Sequence, residues 1–154
     1  MPYSELLRGR ASAGGQIYLV TTVTRGRAPL FTNLHFGRIV VRTLHCPEIS
    51  AHAATLAYVV MPDHLHWLVQ LRPSSDLSEV VRSVKGKSAF QINRARGTGG
   101  CVWQQSFHDR ALRREQNLED AARYVVCNPL RAGLVRRLSE YALWDAEWTY
   151  PESG

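Results

Sequence analysis

Residues 58–71 read Tyr-Val-Val-Met-Pro-Asp-His-Leu-His-Trp-Leu-Val-Gln-Leu, two short apolar runs separated by Pro-Asp. That pattern predicts a β-hairpin. In the second run Leu65, Trp67, Val69 and Leu71 alternate with His64, His66, Leu68 and Gln70, the period of a strand with one apolar and one more polar face. The apolar face belongs in a core. His64 and His66 stand two apart on the other face, close enough to grip one cation together.

The same patterning places the remaining elements. Residues 16–24 are β-branched and aromatic and predict a strand. Thr32 is the expected N-cap of a helix running to about His45 through Leu34, Ile39, Val40 and Val41, ended by Pro47. After the hairpin (residues 55–71), Asp76 opens a long helix, with Glu79 completing a capping box and Leu77, Val80, Val81, Val84, Phe90 and Ile92 on its apolar side. Residues 97–100 form a Gly-rich turn, and residues 102–114, through Trp103, Phe107 and His108, an extended segment and last strand.

A second stretch, residues 116–128, predicts a helix with Asn117 as N-cap. Its stripe of Leu118, Ala121, Ala122 and Val125 must pack on the sheet. Tyr124 and Asn128, four apart, project together from one flank of that stripe. Pro129 should end the helix at Asn128, with a further helical turn or two within residues 130–137 around Gly133. Tyr141, Trp144 and Trp148 suit a tail that docks on the body. The sum is an α+β fold, a ferredoxin- or RRM-like antiparallel sheet with packed helices. One domain spans residues 16–150, between a loose leader (1–15) and a short tail (151–154).

Composition narrows the class. A chain of 154 residues with 45% apolar content suits one soluble globular core. The net charge of +6 points to an anionic partner. Arg82, Lys85, Lys87, Arg94 and Arg96 lie in or just after the long helix with no acid among them, a candidate DNA contact as well as an ordinary solvated face. Cys46, Cys101 and Cys127 form no CxxC pair, which argues against a disulfide framework or a structural zinc site. No apolar run approaches the ~20 residues of a membrane span, so a cytoplasmic protein without a membrane partner is expected.

Taken singly, the candidate residues have plainer readings: histidines facing solvent, a packing tyrosine with a wet hydroxyl, an asparagine at a helix end. Taken together they carry a resemblance. His64-Leu65-His66 after Met61-Pro-Asp, followed some sixty residues on by Tyr124-Val-Val-Cys-Asn-Pro-Leu-Arg-Ala-Gly-Leu-Val135, resembles the REP-associated tyrosine transposases. These are single-tyrosine members of the HUH (His, hydrophobic, His) nuclease superfamily. Arg27-Ala-Pro-Leu-Phe31, Trp103-Gln-Gln-Ser-Phe-His-Asp109 and Glu140-Tyr-Ala-Leu-Trp144 extend the likeness over most of the chain from about residue 16.

The resemblance implies that His64, His66 and Asn128 are ligands of a divalent metal, Mg²⁺ or Mn²⁺, and that Tyr124 is the nucleophile. It implies a bacterial, nucleoid-associated enzyme that cleaves and rejoins single-stranded DNA at palindromic hairpin elements through a 5′-phosphotyrosine. A monomer is favoured over a homodimer. His108 and Asp109 match the family pattern without an assigned role. Two other classes stay open: a non-catalytic RRM-like nucleic-acid-binding protein, and a metal-dependent hydrolase using water, with Tyr124 merely structural.

Overall fold

β1 (Ile17–Val23), β2 (Ala53–Met61), β3 (His64–Leu71), β4 (His108–Leu112) and β5 (Trp144–Ala146) form one sheet in the computed structural model, which describes residues 15–113 and 116–146. The order is β4-β1-β3-β2-β5, antiparallel throughout. Its first four positions follow the ferredoxin-like plan expected from the sequence. β5 extends the β2 edge, so β4 is not the last strand. The expected leader, Trp148 and the tail lie outside the described residues.

Pro62 and Asp63 form the two-residue turn between β2 and β3. Direct pairing across antiparallel strands keeps side chains on one face. Val20, Tyr58, Val60, Leu65, Trp67, Val69 and Leu71 therefore build one core. It is covered by α1 (Leu34–Leu44) and α3 (Leu77–Arg96), which pack on each other. The Trp67 indole is buried there and donates to Thr55 Oγ1 at 3.0 Å. A bulge in β2 between Thr55 and Ala57 sends Leu56 and Ala57 together to the opposite face.

That opposite face, which carries His64 and His66, is not left open. α4 (Gln116–Val126) lies across β2 and β3 there, burying Leu118, Ala121, Ala122, Val125 and Val126 on Leu56, Ala57, Val59, Met61 and Leu68. The helices thus divide between the two faces, and Gln70, on the nominally polar side of β3, is buried.

Several local expectations need correction. Asn33, not Thr32, caps α1, its side chain accepting from His35 N at 2.9 Å. Pro47 does not simply stop the chain; it opens a one-turn helix, α2 (Pro47–Ser50), where its missing N–H costs nothing. Asp76 does cap α3, accepting from Ser78 N, and Gly97 ends it in the left-handed conformation at φ 70. α4 already includes Asn117, so that residue is not its cap. Asn128 does not close α4: Cys127 breaks the helix at φ −85, ψ 2, and Asn128 begins a second one, α5 (Asn128–Arg131), with Pro129 in its first turn.

The segment between α3 and β4 is tied down by Trp103. Its backbone bridges Thr24, and its indole N–H donates at 2.9 Å to Ser88 Oγ, which in turn donates to the Val84 carbonyl. Ser88 is fully buried. Ser88→Ala should strand the indole N–H and destabilise the protein by about 1–3 kcal/mol, read as a lower urea midpoint at unchanged slope.

Candidate active site

The hairpin turn is held from outside before it presents any chemistry. Thr24 N donates to the Asp63 carbonyl at 2.9 Å, and Phe31 N to the Pro62 carbonyl at 3.0 Å. Arg27 pairs with the Asp63 carboxylate at 3.3 Å. The other carboxylate oxygen of Asp63 accepts from His64 Nδ1 at 2.7 Å. Burial alone would raise the Asp63 carboxyl, but the hydrogen bond and charge of His64 and Arg27 outweigh it and hold the group below its ordinary value.

His66 is oriented by a different partner. Thr21 stands directly across from it on β1, and their Oγ1 and Nδ1 atoms are 2.9 Å apart. The two imidazoles lie 4.7 Å apart, centroid to centroid, nearly perpendicular at 83°. With each Nδ1 engaged, the Nε2 atoms are left to act as ligands, each ring fixed by an outer partner. Burial, then the nearby charges of His64 and Arg131, push the His66 pKa down to about 4. At neutral pH it is therefore neutral, the state in which imidazole binds a metal.

Tyr124 projects from the flank of α4 that faces His66. Its ring meets His66 edge-on, with centroids 6.0 Å apart at 70°, and it stays 51% exposed. Tyr124 and His66 line one groove of about 630 Å³ with Thr21, Leu19, Arg110 and Asp120. Asn128, half-buried, follows four residues after the tyrosine at the start of α5. Among the described residues, no three His, Cys, Asp or Glu side chains gather to hold a metal. The two imidazoles are brought side by side, and the resemblance in sequence implies the Asn128 amide as a third ligand.

The five cations of α3 do not form a single stripe. Arg82 and Lys85 face a groove with Trp103, Gln104 and Phe107. Lys85 is tied there: Nζ donates to the Gln104 and Ser106 carbonyls, both at 2.8 Å, and lies over the Phe107 ring. Lys87 and Arg94 face another cavity, of about 870 Å³, with His35, Arg42 and the exposed Phe90. Arg96 bonds to Asn93 at the end of the helix. All five ride on the helix covering the sheet face opposite the histidines.

Thr21, Asp63, Arg110, Asp120 and Arg131 border the site without having been candidates on sequence grounds. Asp63, directly before the HxH, and Arg131, within the motif that begins at Tyr124, carried local signals; Thr21 and Arg110 depend on strand register and Asp120 on the packing of α4. That register puts His108 opposite Thr21, on the histidine face, and turns Asp109 the other way, opposite Val20.

Residues 15–128 match the family model described as "Transposase IS200 like". A protein of Haemophilus influenzae described as a REP-associated tyrosine transposase is 26% identical over 98 residues, 56% of this chain and 55% of that protein. The REP-associated tyrosine transposase of Escherichia coli K12 is 29% identical over 133 residues, covering 83% of this chain and 74% of that one. The match therefore spans about half the length of the first relative and three quarters of the second. Among solved structures, a REP-associated tyrosine transposase bound to a REP hairpin superposes with a TM-score of 0.67 at 24% identity, over 85% of this chain and 76% of that one. A transposase structure from Deinococcus radiodurans gives 0.54 at 20% identity, over 73% and 90%. At these identities the two solved structures establish the fold alone.

Proposed function

The chain belongs to the IS200-like transposase family, and from that premise we propose that it cuts and rejoins single-stranded DNA beside a hairpin, using Tyr124 as nucleophile. The observation that carries this reading is the approach of the Tyr124 ring to His66 within one groove and one chain. The hairpin preference is carried over from the relatives, one of which was solved bound to a REP hairpin.

In the proposed step the Tyr124 hydroxyl attacks the scissile phosphorus, in line with the departing 3′-oxygen. A Tyr–O–P bond forms as the P–O3′ bond breaks; the phenol gives up its proton and the 3′-oxygen takes one. The aryl phosphate conserves the bond energy, so the reverse attack by a 3′-hydroxyl reseals DNA without ATP. Mg²⁺ or Mn²⁺ held by His64, His66 and Asn128 would supply charge neutralisation at the non-bridging oxygens. The chain's own contribution is placement. Thr21 and Asp63 fix the imidazoles, α4 sets the phenol beside His66, and half-exposure of Tyr124 leaves room for a strand to enter. The Tyr124 ring borders the groove it shares with His66, which suits entry of an unpaired strand.

Incubation with single-stranded hairpin DNA and Mn²⁺, followed by a denaturing gel, tests this directly. A protein–DNA adduct supports tyrosine chemistry. Released fragments without adduct mean hydrolysis by water, and intact DNA means a binding module.

Binding should favour a single-stranded hairpin over plain duplex and weaken steeply between 50 and 200 mM salt, on the order of 10³-fold. Because Lys85 is committed to the chain's own carbonyls, the cations to change are Arg82, Lys87 and Arg94. Replacing all three by Gln should lower the slope of log affinity against log salt by about 2, measured by fluorescence anisotropy. An unchanged slope would place the DNA away from α3.

A further inference from the structure

Tyr124 has one more neighbour than the nucleophile reading uses. Seven residues on, Arg131 folds back so that its guanidinium carbon lies 4.1 Å from the centroid of the tyrosine ring. Its Nη2 also donates to the backbone carbonyl of Tyr124. That carbonyl belongs to the last turn of α4, where intrahelical donors run out. The break at Cys127 and the single turn of α5 are what bring the side chain back over the ring. A phenol on an exposed helix flank would otherwise sample several rotamers. Here one face is covered by a planar cation and the His66 ring stands edge-on to it.

We propose that Arg131 is a positioning residue: stacked on the Tyr124 ring and bonded to its carbonyl, it holds the phenol in the orientation from which it attacks a DNA phosphate. This deepens the proposed function and rests on it for the role of the phenol. The positioning itself is a property of the free protein. Lysine can supply the charge but neither the planar stack nor the fixed fork, so the two variants Arg131→Met and Arg131→Lys separate charge from geometry.

The test has two readouts on the full chain. The first uses no DNA: NMR of ring-labelled tyrosine, with the Tyr124 signals assigned by their disappearance in Tyr124→Phe. In Arg131→Met and in Arg131→Lys those signals should move toward the values of a freely rotating tyrosine while the other tyrosine signals stay in place. The second is single-turnover adduct formation with hairpin DNA and Mn²⁺. Its rate should fall on the order of 30-fold in Arg131→Met and by about tenfold or less in Arg131→Lys, with hairpin affinity within about twofold of wild type. Unmoved ring signals in both variants would overturn the proposal, as would a loss of rate matched by an equal loss of affinity, the mark of a plain DNA contact. If the wild type forms no adduct, the proposed function fails while the NMR result still decides the role of Arg131. If Arg131→Met does not fold, Arg131→Lys decides it on the same readouts.

Discussion

Tyr124→Phe is expected to fold, bind metal and bind hairpin DNA like the wild type, yet neither cut nor form an adduct, a loss of at least ~10⁴-fold. The substitution removes one oxygen from a side chain that is 51% exposed, so no buried group is left unpaired. The ring keeps its contacts with His66 and Arg131. Melting temperature and anisotropy should therefore superimpose on the wild type, while the shifted band on a denaturing gel disappears. A protein that hydrolyses DNA with water would continue to cut. Mass spectrometry of the wild-type adduct should find the nucleotide on the peptide holding Tyr124. The other described tyrosines are poorly placed: Tyr58 is buried on the opposite face, and the Tyr141 hydroxyl donates to the Val60 carbonyl. Tyr18 packs on the opposite core as well. A nucleotide on any of these three would sink the assignment.

His64→Ala and His66→Ala should each reduce adduct formation to background and abolish high-affinity Mn²⁺ binding, followed separately by calorimetry or by the electron paramagnetic resonance signal of free Mn²⁺. Both residues are only partly buried and neither belongs to the two apolar cores, so the fold should survive. Asn128→Ala should cost less, since an amide oxygen is the weaker ligand. Either histidine variant cutting at wild-type rate in Mg²⁺ or Mn²⁺ would show that the metal site has been put in the wrong place.

What the sequence disclosed tracks the range over which its signals act. Period-2 alternation is local, so the hairpin and the shared face of His64 and His66 were readable, as were the Asp76 cap and the stripe of α4. The family motifs added the family itself, which the match of residues 15–128 to a family model bears out. Readings that needed register or long-range packing failed or stayed silent. The bulge at Leu56 and the division of helices between the two faces depend on strands distant in sequence. An acid-free run of cations on α3 suits a DNA contact as well as a solvated face, but side chains on an α-helix fan out by about 100° per residue, and Lys85 binds carbonyls of the chain. Pro129 reads locally as a stop, whereas at the first turn of a new helix its missing N–H does no harm. Thr21 carries no local mark of function at all; only the pairing of β1 with β3 sets it against His66.

The helix that bears Tyr124 lies on the sheet of the same chain that bears His66. Bringing the phenol to the imidazoles is therefore an intramolecular event whose entropy is settled once, when the chain folds. A site shared between two copies would lose half of its parts whenever the copies dissociated, and its output would fall with the square of copy number. Under the proposed function, the juxtaposition of His66 and Tyr124 within one chain would survive dilution to a single molecule, and the number of such sites would scale with the number of chains.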